Sequence, residues 1–129
     1  MSGDLILIVE DDADSRTLVR DILNYNGFQT IESESAEQGL RLAEEHLPSL
    51  ILMDIHLPGM SGIEALKELR AASRTYGIPV VAVTASVLSE QQENVMKAGF
   101  DAFERKPLVL NGFIDRIRAL LSAKGQDGR

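Results

Sequence analysis

Five polar residues of this chain stand where chemistry could be assembled. Glu10 and Asp11 directly follow the apolar run Leu5–Val9, Asp54 follows Leu50–Met53, and Thr84 follows Pro79–Val83. Lys106 comes just after the shorter run Ala102–Glu104. Carboxylates brought together repel one another, and a hard divalent cation removes that repulsion. Mg²⁺ takes near-octahedral oxygen ligands, commonly one or two carboxylates completed by waters and a phosphate. A lysine adds one compact positive charge and a threonine adds a hydroxyl. Carboxylate, metal, cation and hydroxyl together suit phosphoryl transfer to a carboxylate nucleophile, a reaction that depends on positioning and charge neutralisation.

These residues can cooperate only if the surrounding elements bring them to one place. The runs Leu5–Val9, Leu50–Met53 and Pro79–Val83 are rich in Ile, Leu and Val and do not alternate with polar residues. Strands covered on both faces, as in parallel sheets, have this pattern. Gln29–Glu32 and Ala102–Glu104 are weaker candidates for a second and a fifth strand.

Between the runs the apolar period becomes helical. Val19, Ile22 and Leu23 form one stripe. Ala36, Leu40, Ala43 and Leu47 form a second at i, i+4, i+7 and i+11, and Ile63, Leu66 and Leu69 mark a third helix. Ser89–Ala98 is the poorest helix, mostly polar. Phe113, Ile117, Leu120 and Leu121 form the last stripe, with Asp115, Arg116 and Arg118 between them. Ser35 and Ser89 are N-cap candidates, each with a glutamine three residues on, and Asp12 can cap or favour a helix dipole. Gly27, Gly77 and Gly99 stand where helices should stop.

The order is strand then helix, five times over. Five such units with right-handed crossovers form an open doubly wound α/β sheet and are too few for an eight-fold barrel. In open parallel sheets ligands bind beyond the carboxyl ends of the strands. That is where Glu10, Asp11, Asp54, Thr84 and Lys106 fall. Residues 1–123 are expected to form one domain and residues 124–129 a tail.

Composition excludes other classes. With 129 residues and 44% hydrophobic content the chain can bury one core. Thirteen basic against 20 acidic residues give a net charge of −7. That charge opposes contact with nucleic acid or anionic lipid, so neither direct nucleic-acid binding nor membrane insertion is expected. The apolar runs are far shorter than the roughly 20 residues of a membrane helix. There is no Cys, which fits a reducing compartment, and a cytoplasmic location is expected.

The stretches IVEDDADSR, LILMDIHLPGMSG, VVAVTAS and FERKP resemble those of two-component response-regulator receiver domains. The resemblance runs from about Leu5 to Leu121. An acidic pair after a strand is common, whereas Asp-x-x-Leu-Pro-Gly-Met-Ser-Gly followed in order by Thr-Ala and Lys-Pro is specific. The resemblance implies a flavodoxin-like (βα)5 fold with strand order 2-1-3-4-5. It implies Asp54 as phospho-acceptor from a histidine kinase or histidine phosphotransfer protein. Asp11 and Asp54 would be Mg²⁺ ligands together with the backbone carbonyl of His56, and Glu10 would hold metal-bound water. Thr84 and Lys106 would hold phosphoryl oxygens, and Pro107 would follow a cis peptide bond. Phe103 would be the aromatic switch residue, although it lacks the hydroxyl many relatives carry there and core packing explains it equally. His56 and Ser86 would border the phosphoryl site, against the alternative of an incidental loop histidine. His46, at a helix end, is assigned no role.

The implied output is contact with a downstream effector protein through the fourth helix, fifth strand and last helix. The chain would not be an enzyme, beyond phosphorylating itself from a donor and slowly dephosphorylating. A stand-alone regulator and a receiver module of a hybrid sensor kinase fit equally. A haloacid-dehalogenase-like phosphohydrolase should instead have Asp-x-Asp after strand one. A flavodoxin-like FMN binder needs a Ser/Thr/Gly-rich phosphate loop there, where this chain has acids. A degenerate receiver acting as a scaffold is disfavoured because no site residue is missing.

Overall fold

The computed structural model describes residues 3–84, 96–105 and 110–127. The strands are β1 (Leu5–Val9), β2 (Gln29–Ser33), β3 (Leu50–Asp54), β4 (Val80–Thr84) and β5 (Ala102–Arg105). The helices are α1 (Ala13–Tyr25), α2 (Ala36–His46), α3 (Gly62–Ala71) and a C-terminal helix, Leu110–Asp127. Met96 and Lys97 are helical. The rest of the helix expected at Ser89–Ala98, as far as residue 95, lies outside the described residues, and so do its cap Ser89 and Ser86, Lys106 and Pro107. No described helix is long and apolar enough to cross a membrane.

All five strands are parallel and lie in the order β2-β1-β3-β4-β5. From β1 the chain steps outward to β2 and then crosses back to β3 on the other side. This reversal puts a crevice at the carboxyl ends of β1 and β3. Successive side chains on a strand face opposite ways, and here both faces are covered. Leu7, Val9, Ile51, Met53, Val80 and Ala82 pack with Ala36 and Ala43 of α2 and Leu66 and Leu69 of α3. Ile6, Ile8, Leu50, Leu52, Val81 and Val83 pack with Val19 and Leu23 of α1 and Phe113 and Ile117 of the C-terminal helix. Each large side chain so buried contributes roughly 1.5–3 kcal/mol relative to exposure.

The local signals act where expected at helix starts. Asp12 caps α1 by accepting from the Ser15 amide, and Ser35 caps α2 by accepting from the Gln38 amide. Ser61 and Glu64, which had no part in the sequence reading, form a full capping box on α3. Three helix ends depart from the sequence reading. α2 stops at His46, and Leu47 is its left-handed C-cap at φ 46°, turned outward and 45% exposed rather than closing the apolar stripe. Pro48 follows and cannot continue a helix. α3 stops at Ala71, well before Gly77, because Ala72 is extended and the buried Thr75 hydroxyl, at 2.8 Å, joins the Ala72 amide in donating to the Leu69 carbonyl. The C-terminal helix runs on through Asp127, past the predicted tail start at Lys124. No proline intervenes to stop it.

One buried charge stands out in the core. Glu104 of β5 is 5% exposed and faces the C-terminal helix, where Arg116 grips both its oxygens, Nη2 to Oε1 at 2.7 Å and Nε to Oε2. Glu104 raises the pKa of the Arg116 guanidinium, chiefly through these hydrogen bonds. The two ends of the pair should respond differently to mutation. Arg116→Ala leaves a buried carboxylate without its grip and should cost about 1–3 kcal/mol. Arg116 is half-exposed, so the lower part of that range is expected. Glu104→Leu removes the buried charge itself and should cost less. Urea unfolding of the two variants checks the order, and a more damaging Glu104→Leu would refute it.

Candidate active site

The sheet topology brings three of the predicted acids together. Glu10, Asp11 and Asp54 each offer a carboxylate oxygen, and these oxygens lie within 4.8 Å of one another. Glu10 and Asp54 are only 4% and 6% exposed, while Asp11 is open to solvent. Burying two carboxylates beside a third is unfavourable unless charge or hydrogen bonds compensate.

Local structure holds the two buried acids in place. The Glu10 amide donates to the Ser33 carbonyl at the end of β2, 3.0 Å away. Its carboxylate Oε2 accepts from the Asp12 amide at 3.1 Å, at the start of α1. The Asp54 Oδ1 accepts from the His56 amide at 2.8 Å, which orients the carboxylate at the strand end. The Ile55 amide continues the ladder to the Val83 carbonyl at 3.2 Å. Asp54 is thus the last residue of β3 rather than the first of a loop, and it is in register with Val83.

The Pro-Gly-Met-Ser-Gly stretch after Asp54 has a steric reason. Gly59 takes φ +78°, which glycine adopts without strain. Gly62 opens α3 directly against the end of β3, and its amide donates to the Ile55 carbonyl at 3.3 Å. A Cβ at Gly62 would come within 2.6 Å of the Asp54 carbonyl oxygen and 2.7 Å of the Ile55 Cα. Both are backbone atoms, so any larger residue would push β3 and α3 apart where Asp54 must sit.

The remaining predicted residues fall as follows. Thr84 ends β4, in register with Arg105 of β5. Phe103 is partly buried against the layer formed by α2 and α3, and it pairs with Ala82 across the sheet. The imidazole of His56 is exposed. Lys106, Pro107 and Ser86 lie outside the described residues. One supporting residue had no role in the sequence reading. Arg16 donates to the backbone carbonyl of Glu10 at 2.9 Å. Its trace in the sequence is a cation near the start of a helix, where the dipole disfavours positive charge.

The three carboxylates supply hard, oxygen-only donors in one partly enclosed place, which is the chemistry a Mg²⁺-class cation requires. Comparison with known proteins agrees in fold and family. Residues 6–118 match the model of the response regulator receiver domain. The polar-differentiation response regulator DivK of Brucella ovis is 40% identical over 116 residues, covering 90% of this chain and 94% of the relative. A CheY-like response regulator receiver domain protein from Methanospirillum hungatei superposes with a TM-score of 0.87 at 28% identity, covering 98% of this chain and 99% of that one. The receiver domain of the sensor histidine kinase PA1611 from Pseudomonas aeruginosa has the same TM-score of 0.87 at 29% identity, covering 94% and 99%. In that structure a magnesium ion is coordinated in the active site cleft. With the parallel 2-1-3-4-5 sheet and the acidic cluster at its switch point, the chain belongs to the receiver domains of two-component response regulators.

Proposed function

We propose that this receiver accepts a phosphoryl group on Asp54 in a Mg²⁺-dependent reaction and signals through protein contacts. The observation that carries the reading is the meeting of Glu10, Asp11 and Asp54 within 4.8 Å, with Asp54 buried at the end of β3. Asp11 and Asp54 would hold the cation together with the His56 carbonyl, and Glu10 would hold a metal-bound water. When bound, Mg²⁺ neutralises the carboxylates and the charge of an incoming phosphoryl group.

The chain's own residues do the rest. The His56 amide on Oδ1 fixes the Asp54 carboxylate, so that a carboxylate oxygen meets phosphorus from a defined direction. The new bond is O–P, and the broken bond is P–N of a phosphohistidine on a histidine kinase or phosphotransfer protein. The imidazole leaves with that electron pair. Thr84 and Lys106 would each hold a phosphoryl oxygen. Hydrolysis returns Asp54 slowly, and no other substrate is turned over.

Three outcomes are expected. Wild type incubated with acetyl phosphate and Mg²⁺ should gain one acid-labile phosphoryl group. Asp54→Asn should lose most of it, because an amide is a poor nucleophile, and equal labelling of both proteins would remove Asp54 from the role.

Mg²⁺ should also raise the melting temperature, by linkage worth about 2.7 kcal/mol at roughly a hundred times its dissociation constant. Asp11→Ala should abolish the response. A wild-type melt unchanged by millimolar Mg²⁺ argues against the site.

Output is expected to run through the face made by the helix ending near Lys97, β5 and the C-terminal helix. Phosphorylation brings nearly two negative charges and new acceptor oxygens. Thr84 would donate to one of them, and Phe103, partly buried against the layer of α2 and α3, would repack in response. Beryllium fluoride with Mg²⁺ should therefore shift the amide NMR signals of Met96, Lys97 and Phe103. Shifts confined to Glu10–Asp12 and Asp54–His56 would refute the switch.

A further inference from the structure

The acidic loop rests on an arginine. Arg16 lies near the start of α1, with its side chain only 16% exposed. Nη1 donates to the Glu10 carbonyl at 2.9 Å and, at a longer 3.5 Å, to the Asp11 carbonyl. Nε faces Glu32 of β2 at 3.5 Å. Glu32 in turn meets Arg20, one turn further along α1, at 3.6 Å. One guanidinium therefore joins three pieces of the fold: the loop after β1, the start of α1 and the end of β2.

The placement is costly on simple electrostatic grounds. A cation near a helix N-terminus runs against the dipole. A cation beside a metal site repels the metal. Arg16 holds the site acids by their backbone carbonyls, and their carboxylates gather with that of Asp54. A planar fork can bridge several acceptors at fixed angles, as an ammonium cannot.

We propose that Arg16 is a positioning residue for the cation site. It clamps the backbone of Glu10 and Asp11 against β2 and α1, so that their carboxylates meet Asp54. This inference rests on the Mg²⁺ reading above. Outer partners of metal ligands commonly change affinity by about 10- to 100-fold when removed.

The sign of the effect separates positioning from mere charge. If Arg16 acts only as a nearby positive charge, Arg16→Met should tighten Mg²⁺ binding and Arg16→Lys should leave it unchanged. If Arg16 positions the loop, both variants should weaken it, by about 10-fold or more. Mg²⁺ titration followed by amide NMR measures this on wild type, Arg16→Met and Arg16→Lys. In the metal-free variants the amides of Asp11 and Asp12 should also exchange faster, while those of Leu52 and Val81 stay protected. Unchanged or tighter Mg²⁺ binding in the variants, beside a normal wild-type titration, overturns the role of Arg16. No response from wild type removes the Mg²⁺ reading itself, and the assignment with it. If Arg16→Met fails to fold by circular dichroism, Arg16→Lys decides the question by the same criterion.

Discussion

Burial of β3 on both faces is the constraint that orders the rest. All five of its residues are buried, and the four apolar ones, Leu50–Met53, alternate between two separate apolar layers. A strand with no solvent face can place a working polar group only at its end. The parallel sheet sends every such end to one edge, because each crossover must return the chain to the same starting side. The reversal of direction between β2 and β3 then opens a crevice between the ends of β1 and β3. Asp54 is where burial and chemistry meet: it is still paired with β4, yet its carboxylate reaches the edge.

Holding three carboxylates together raises the energy of the loops that carry them. The structure meets this with short, directional contacts rather than with bulk. Amides of Asp12 and His56 bond the Glu10 and Asp54 carboxylates, and Ser33 holds the Glu10 backbone. Gly62 lets α3 begin in direct contact with the backbone of Asp54, so the helix start buttresses the strand end. These contacts lie at element ends, where backbone groups lack partners within the helix or strand. The same scarcity of internal partners that makes helix ends weak makes them available to organise the site.

The sheet also separates two sets of contacts beyond that site. Asp54, Val83 and Glu104 are aligned across β3, β4 and β5 by their register. Glu104 is tied to the C-terminal helix through Arg116 on one face, while Phe103 packs into the layer of α2 and α3 on the other. Adjacent residues of β5 therefore touch opposite layers. The Glu104–Arg116 pair ties the strand to its helix, whereas Phe103 is only partly buried.

The amino-acid sequence by itself determined the fold class, the number of strands and the placement of acids at strand ends. Unbroken apolar runs such as Leu50–Met53 encode two-sided burial locally, and Ser35 and Asp12 encode helix starts through bonds spanning three residues. The order of the strands was legible through the family pattern alone, since periodicity does not say which strands pair. Only the tertiary structure decided what depends on distant or steric partners. Leu47 left its stripe for a left-handed cap, and Thr75 helped end α3 ahead of Gly77. Arg16 acquired its role because the fold brings the end of β2 against the loop after β1. Gly62 is required because two backbones meet there, and Glu104 is tolerated because Arg116 arrives from another element. Propensity and periodicity act over a single turn or strand, while charge compensation and backbone contact are set by whichever segments the packed core presses together.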